Sequence, residues 1–217
     1  DVVINVAEAG TIAVGGTSGC DSAESAVASG ANTITLDGDG AGGAMSDGTY
    51  TCTITFTDSL GNAASALTLT AFVVDTTVAA ATEGTAVSTP GNDGTPDVVI
   101  SVAEAGTVAV GGSCGTSTAA AVSSGSNTLT LTDDDDSSAL GEGTYNDCTV
   151  TFTDSAGNAA AALTLTAFVI DTTVAAATET TAVTTPGNDA TPDVVINVAE
   201  AGTIAVGGTS GCDSAES

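Results

Sequence analysis

The string DVVINVAEAGTIAVGGTSGCDSAES occurs twice, at 1–25 and at 193–217, and a looser copy, DVVISVAEAGTVAVGGSCG, begins at Asp97. Asp1, Asp97 and Asp193 are therefore evenly spaced, 96 residues apart. A fixed period of this length marks a tandem array, and one period is the size of one small domain. The outer copies match while the middle one diverges. The natural unit therefore reads as a 192-residue pair of alternating domains, and the chain as a window on a longer periodic polypeptide. Three units are expected: 1–74, lacking its first strand; 75–170, complete; and 171–217, the first three strands of a further copy.

Within a period the pattern is that of strands. Val98, Ile100 and Val102 alternate with smaller or polar residues, as do Val108 and Val110, Leu129 and Leu131, and Cys148, Val150 and Phe152. Leu163, Leu165, Ala167 and Val169 alternate with threonines in a final strand, and 78–87 reads as a weak first one. Turn chemistry separates these runs: TPGNDGTPD, AEAG and DSAGN. Period-2 alternation broken by such turns predicts an all-β fold of antiparallel sandwich domains with no helix of note. The Ala runs at 119–121 and 159–162 are too short to change this. In 1–74 the same places are held by Ile12 and Val14, Ile34 and Leu36, Cys52, Ile54 and Phe56, with Leu67, Leu69 and Val73 closing the unit.

The chain has no Lys, Arg or His against 27 Asp and Glu, a net charge of −27. Nucleic-acid binding needs cations to displace phosphate counter-ions, so it is excluded. Attraction to an anionic membrane fails for the same reason, and no apolar run is long enough to insert in one. Salt bridges and Lys–Asn crosslinks have no donor. The carboxylates must be solvated, hydrogen-bonded or metal-bound. A Ser or Thr nucleophile lacks a base, and sugar clefts want more aromatic platforms than two Tyr and four Phe supply, so the chain is expected not to be an enzyme. The alternating apolar runs argue against disorder despite the charge. No signal peptide is visible, as expected for a mid-chain window.

Cys20 and Cys52 fall in one copy, Cys114 and Cys148 in the next, and Cys212 repeats Cys20. Two Cys per copy, without His or a CxxC, predict the disulfides Cys20–Cys52 and Cys114–Cys148, with the partner of Cys212 outside the window, and an oxidising, extracellular setting. In the chain-entropy model each bond stabilises its unit by roughly 3–4 kcal/mol. Each would tie the loop after the third strand to the sixth strand. Tyr50 and Tyr145 stand just ahead of the second Cys, in the manner of a tyrosine corner.

Five motifs recur at domain spacing: DTT at the junction, TPGNDxTPD, EAGT, GTY before the sixth strand and TFTDSxGN before the last. In these the chain resembles the bacterial immunoglobulin-like tandem repeats of giant extracellular adhesins and surface fibres, along its whole length. The resemblance implies extender domains stacked end to end, often with Ca²⁺ at the junctions. The absence of Lys is a departure from that pattern.

In such a sandwich the loops collect at two poles. Asp75, Glu104, Asp154 and Asn158 are expected to converge at one junction, facing Asp37, Asp39 and Asp47 of the preceding unit. Asp171 and Glu200 are expected to repeat the arrangement at the next, facing the acidic run 133–136 and Glu142. Three acids, an Asn and nearby carbonyls suit the six to eight oxygens that Ca²⁺ takes. The plainer alternatives are that Asp75 and Asp171 cap a turn, that DSAGN is a simple hairpin, and that Glu104 is solvated.

Two functions fit the sequence. One is a structural extracellular fibre or stalk, whose partners are other copies of the same repeat along or beside the chain. The other is an adhesin module that binds a glycan, a surface or another cell. The loops that differ between copies (20–32 against 114–127, and 37–48 against 133–143) are small and polar, and read as tolerated variation.

Overall fold

The computed structural model describes residues 1–118, 120–208 and 212. The tail of the 171–217 unit, residues 209–211 and 213–217, lies outside the described residues, as does Ala119. All regular structure among the described residues is β, and no helix occurs.

In the first copy the strands are β1 (Val2–Val6), β2 (Gly10–Gly16), β3 (Ala26–Val27), β4 (Gly30–Ile34), β5 (Gly48–Tyr50), β6 (Cys52–Asp58), β7 (Leu67–Thr68) and β8 (Phe72–Val74). They form a four-stranded sheet, β3-β2-β6-β7, and two pairs, β1-β4 and β5-β8. In the central copy follow β9 (Thr82–Thr85), β10 (Asp97–Val102), β11 (Gly106–Gly111), β12 (Gly115–Thr116), β13 (Ala121–Val122), β14 (Gly125–Thr132), β15 (Gly143–Tyr145), β16 (Thr149–Asp154), β17 (Leu163–Thr164) and β18 (Phe168–Ile170). Here β12-β14-β10-β9 and β13-β11-β16-β17 are four-stranded, and β15-β18 is a pair. The last copy contributes β19 (Thr178–Thr181) and β20 (Val195–Asn197), paired with each other. Every ladder is antiparallel.

The central copy has one core. Val98 and Ile100 from β10, Leu129 and Leu131 from β14, Val150 and Phe152 from β16, and Phe168 and Ile170 from β18 are all fully buried in it. The alternation that named these residues is what puts them on one face of each strand. Ala81 and Val87, on either side of β9, close the cluster. The glycine of the EAGT turn has a packing reason: a Cβ on Gly106 would run into the Thr153 carbonyl and the Phe152 ring, and one on Gly10 would meet Thr57 and Phe56 in the same way.

Three sequence expectations change. The final strand is not one strand. β17 pairs with β16 and β18 with β15, so the chain crosses between sheets around residues 165–167. The crossing resets the parity. Leu165, Phe168 and Ile170 are buried, Ala167 is exposed, and Val169 is half-buried. In the first copy Phe72 accordingly faces inward and Val73 is 68% exposed. The weak first strand is confined to Thr82–Thr85 rather than spanning 78–87. Among its described residues the last copy has two strands, not three: the stretch holding Ile204 and Val206 is not a strand, and both residues are exposed. Its counterpart β11 is held by β16 on one side and β13 on the other, and residues 171–208 contain neither neighbour.

Candidate functional site

Asp75 lies in the connection after β8, Glu104 in the turn between β10 and β11, and Asp154 at the end of β16. The structure brings carboxylate oxygens of all three within 4.8 Å of one another. Asp154 is buried and the other two are half-buried. The chain has no Lys, Arg or His to neutralise such a group.

Asn158 joins the cluster in a different role from the one its sequence position suggests. Its side-chain amide nitrogen donates to Asp154 Oδ2 (2.8 Å) and to the Asp75 carbonyl (3.0 Å), and its backbone N–H donates to Asp154 Oδ1 (2.8 Å). It therefore turns a donor, not an oxygen, toward the acids. It is a clasp between the hairpin and the incoming chain rather than a cation ligand. Burial raises the pKa of Asp154, but the bonds from Asn158 and from the loop amides outweigh that and hold its carboxyl below the usual range. Part of this is a property of the hairpin alone. In the first copy Asn62 makes the same two bonds to Asp58, at 2.8 and 2.7 Å.

The acids expected to face this group are spent elsewhere. Asp47 accepts from Thr76 N–H (2.8 Å), Thr76 Oγ1–H (2.6 Å) and Thr77 Oγ1–H (2.8 Å). The two threonine hydroxyls, with the Thr76 amide, lower its pKa. Asp37 is buried and accepts three backbone N–H groups, from Asp39, Gly40 and Gly42, while Asp39 accepts from Ala41 and Gly43. The DGDG loop is therefore closed on itself. Short loops that turn their amides inward need an acceptor there, and Asp supplies it.

At the next junction Asp171 and Glu200 do not form a comparable group among the described residues. Asp171 accepts from Thr173 N–H (3.4 Å) and Glu200 from Ala175 N–H (3.1 Å). Glu142 accepts from Thr172 N–H (3.0 Å) and Thr172 Oγ1–H (3.3 Å). Hydrogen bonding from Thr173, then Thr172, lowers its pKa. In the acidic run, Asp136 Oδ1 accepts from Thr116 N–H (2.9 Å) and Asp135 caps Ser137 and Ser138. The Asp133 and Asp135 side chains lie side by side, and their interaction raises the pKa of the first carboxyl and lowers that of the second.

A pairing missed in the sequence emerges here. The acid immediately before each Gly-Thr-Tyr, Asp47 or Glu142, grips the threonines of the following Asp-Thr-Thr. Both motifs were visible as repeats. Their similar spacing, 29 residues from Asp47 to Thr76 and 30 from Glu142 to Thr172, was the only hint that they touch. Asp75-Thr76-Thr77 is thus held on one side by Asp47 and on the other by Asn158.

Cys20 is bonded to Cys52 and Cys114 to Cys148, with Cα atoms 5.6 and 5.3 Å apart. Cys212 is exposed and unpaired. Tyr50 Oη–H donates to the Ser46 carbonyl and Tyr145 Oη–H to the Gly141 carbonyl, four residues upstream in both cases. Each ring stacks on the Phe that starts the last strand, Tyr50 on Phe72 and Tyr145 on Phe168. No helix of the described residues is long and apolar enough to cross a membrane.

Comparison of the chain with protein-family models, curated proteins and solved structures matched none of them.

Proposed function

We propose that the chain is part of a structural extracellular fibre or stalk, built of end-to-end immunoglobulin-like β-sandwich units with boundaries near 75 and 171. The observation that carries this is the two-sided grip on Asp75-Thr76-Thr77, whose Asp47 half recurs as Glu142 on Thr172. A free linker would leave these donors to water. A clamped one passes tension and orientation from unit to unit. The two disulfides fit a non-reducing setting, and the charge of −27 keeps a long polymer soluble.

Ca²⁺ is the ion that Asp75, Glu104 and Asp154 would hold. All three offer hard oxygen, they supply three to six of the ligands Ca²⁺ takes, and water completes the shell. Bound there, the ion would neutralise the cluster and stiffen the connection that Asn158 clasps. The test is thermal unfolding of the chain in Ca²⁺ and in EGTA, with small-angle scattering on the same samples. The expected result is a midpoint raised by Ca²⁺ and a longer, narrower particle. An unchanged midpoint and an unchanged scattering profile overturn the Ca²⁺ assignment. Imaging of the native assembly tests the fibre reading separately: units in single file with even spacing support it, and isolated globular particles exclude it.

A further inference from the structure

The sheet β3-β2-β6-β7 turns one face to the core and the other outward. On β6, Cys52 and Ile54 are buried, so Thr53, Thr55 and Thr57 point out. Thr57 lies opposite Thr11 and Thr55 opposite Ala13, while Thr53 has Gly15 on one side and Thr68 on the other. The Thr53 hydroxyl stands over Gly15, where an added Cβ would meet it at 3.6 Å. The sheet β13-β11-β16-β17 of the central copy repeats this register. Thr153 lies opposite Thr107 and Thr151 opposite Ala109, while Thr149 has Gly111 on one side and Thr164 on the other. Both sheets have four strands, so this outward face is the same in the complete copy as in the first.

Two properties set the face apart. In a chain with 27 acids, none of the residues paired across the outward side of β3-β2-β6-β7 is an acid. The outward side of the opposing central sheet differs: Asp97 lies there opposite Thr130, and it is exposed. The hydroxyls differ too. Those of Thr76, Thr77, Thr116, Thr130 and Thr166 each donate to an acceptor within the chain. Among the described residues those of Thr11, Thr53, Thr55, Thr57 and Thr68 have no such partner, although the three on β6 are half-buried.

We infer that the outward face of β3-β2-β6-β7 is a lateral pairing surface, and that its partner is the same face of a second copy of this chain. Charge selects the face. Contact through the loops or through the Asp97 side sets acid against acid, with no Lys, Arg or His to offset them. A cationic partner would be drawn to those acids rather than to the one neutral sheet face. Chemistry selects the partner. A hydroxyl both donates and accepts, so a threonine face is complementary to itself, as a twofold pair requires. Side chains no larger than Thr let two sheets approach face to face. The central face is the poorer version, because exposed Asp147, held by Ser113, stands at its end where the first copy has Thr51.

The size of the face sets the strength. Strands about 4.8 Å apart, rising about 3.4 Å per residue, give the seven-residue β2 and β6 with their short flanking strands roughly 300 Å² per copy. A pair then buries about 600 Å², well under the roughly 1,200 Å² of a stable interface. One face therefore pairs weakly and reversibly, and repetition along a longer polymer multiplies it through effective concentration. The inference goes beyond the end-to-end reading and requires neither that reading nor Ca²⁺.

The experiment is sedimentation equilibrium of the 217-residue chain up to about 1 mM, in 0.5 M NaCl to screen the charge, with and without EGTA. The expected result is a reversible dimer that EGTA leaves intact. Thr55→Asp places a charge at the centre of the face and should weaken the dimer tenfold or more. Thr128→Asp adds the same charge to the Asp97 side, at an exposed position, and should change it less than twofold. Thr68→Asp, at an exposed edge position, gives the same reading as Thr55→Asp should the latter alter the melting profile. A chain monomeric throughout overturns the inference. Equal weakening by Thr55→Asp and Thr128→Asp overturns it, since the effect is then net charge alone. A dimer abolished by EGTA and indifferent to Thr55→Asp and Thr68→Asp also overturns it, because ions bridging acids would then join the copies.

Discussion

The first and central copies carry the same strand pattern, yet they bury it to different depths. Phe152, Val98 and Phe168 are fully buried, whereas their counterparts Phe56, Val2 and Phe72 are half-buried. Leu163 is half-buried and Leu67 is 52% exposed. The central copy has one continuous core and the first has two smaller clusters, one around Ile34 and Ile54 and one around the Cys20–Cys52 bond. The side chains are nearly the same, so the difference lies in the cover that residues 78–91 provide in one copy and that the described residues lack in the other. Burial is a property of the neighbours as much as of the residue.

The largest expected effect tests that contrast directly. Phe152→Ala should cost about 3–5 kcal/mol, the range for deleting a buried aromatic side chain, whereas Phe56→Ala should cost roughly half as much because its ring already meets solvent on one side. Calorimetry on each variant checks this. Equal losses would mean that the Phe56 ring is as well covered in solution as that of Phe152.

A smaller effect separates hairpin from junction. Asn62→Ala loses the side-chain bond to Asp58, about 0.5–1.5 kcal/mol. Asn158→Ala loses the equivalent bond to Asp154 and the bond to the Asp75 carbonyl, so roughly twice that is expected. Chemical denaturation measures both. If the two substitutions cost the same, the Asn158–Asp75 clasp contributes nothing.

The smallest effect is on pH. Asp47 and Glu142 have pKa values lowered by hydrogen bonds from the linker threonines. Their contribution is present above the ordinary carboxylate pKa of about 4 and is lost as pH falls through their depressed values. Acid should therefore free the connections at 75–77 and 171–173 in the range below about pH 4. Protonation also relieves the repulsion of the −27 chain and favours compaction, so the two effects oppose each other. Asp47→Ala removes only the first. The distance across each connection by paired fluorophores, followed from pH 6 to 2, should lose its acid step at 75–77 in that variant and keep the one at 171–173.

Much of this molecule was legible before any coordinates. The alternation around Ile100, Leu131, Val150 and Phe152 named core residues because in a strand the side-chain face follows from the spacing alone. The convergence of Asp75, Glu104 and Asp154 followed from the turns they occupy. The switch at Leu165 was not legible, since threonine alternation continues smoothly across the point where the chain changes sheets. Nor were the partners of Asp37 and Asp47, since a carboxylate reads the same in a sequence whether it meets an ion, a loop amide or a threonine.

The sequence by itself determined the copies, the central strands of each, the cysteines each contains and the lack of any cation to offset 27 acids. These are local or countable properties, and a period-2 pattern needs no distant partner to be recognised. Only the tertiary structure decided which acids clamp the connections, which close their own loops, and where the last strand crosses. Each of these depends on which remote segment lies against a given face, and identical strings such as Val3-Ile4-Asn5 and Val195-Ile196-Asn197 have different neighbours in the two places.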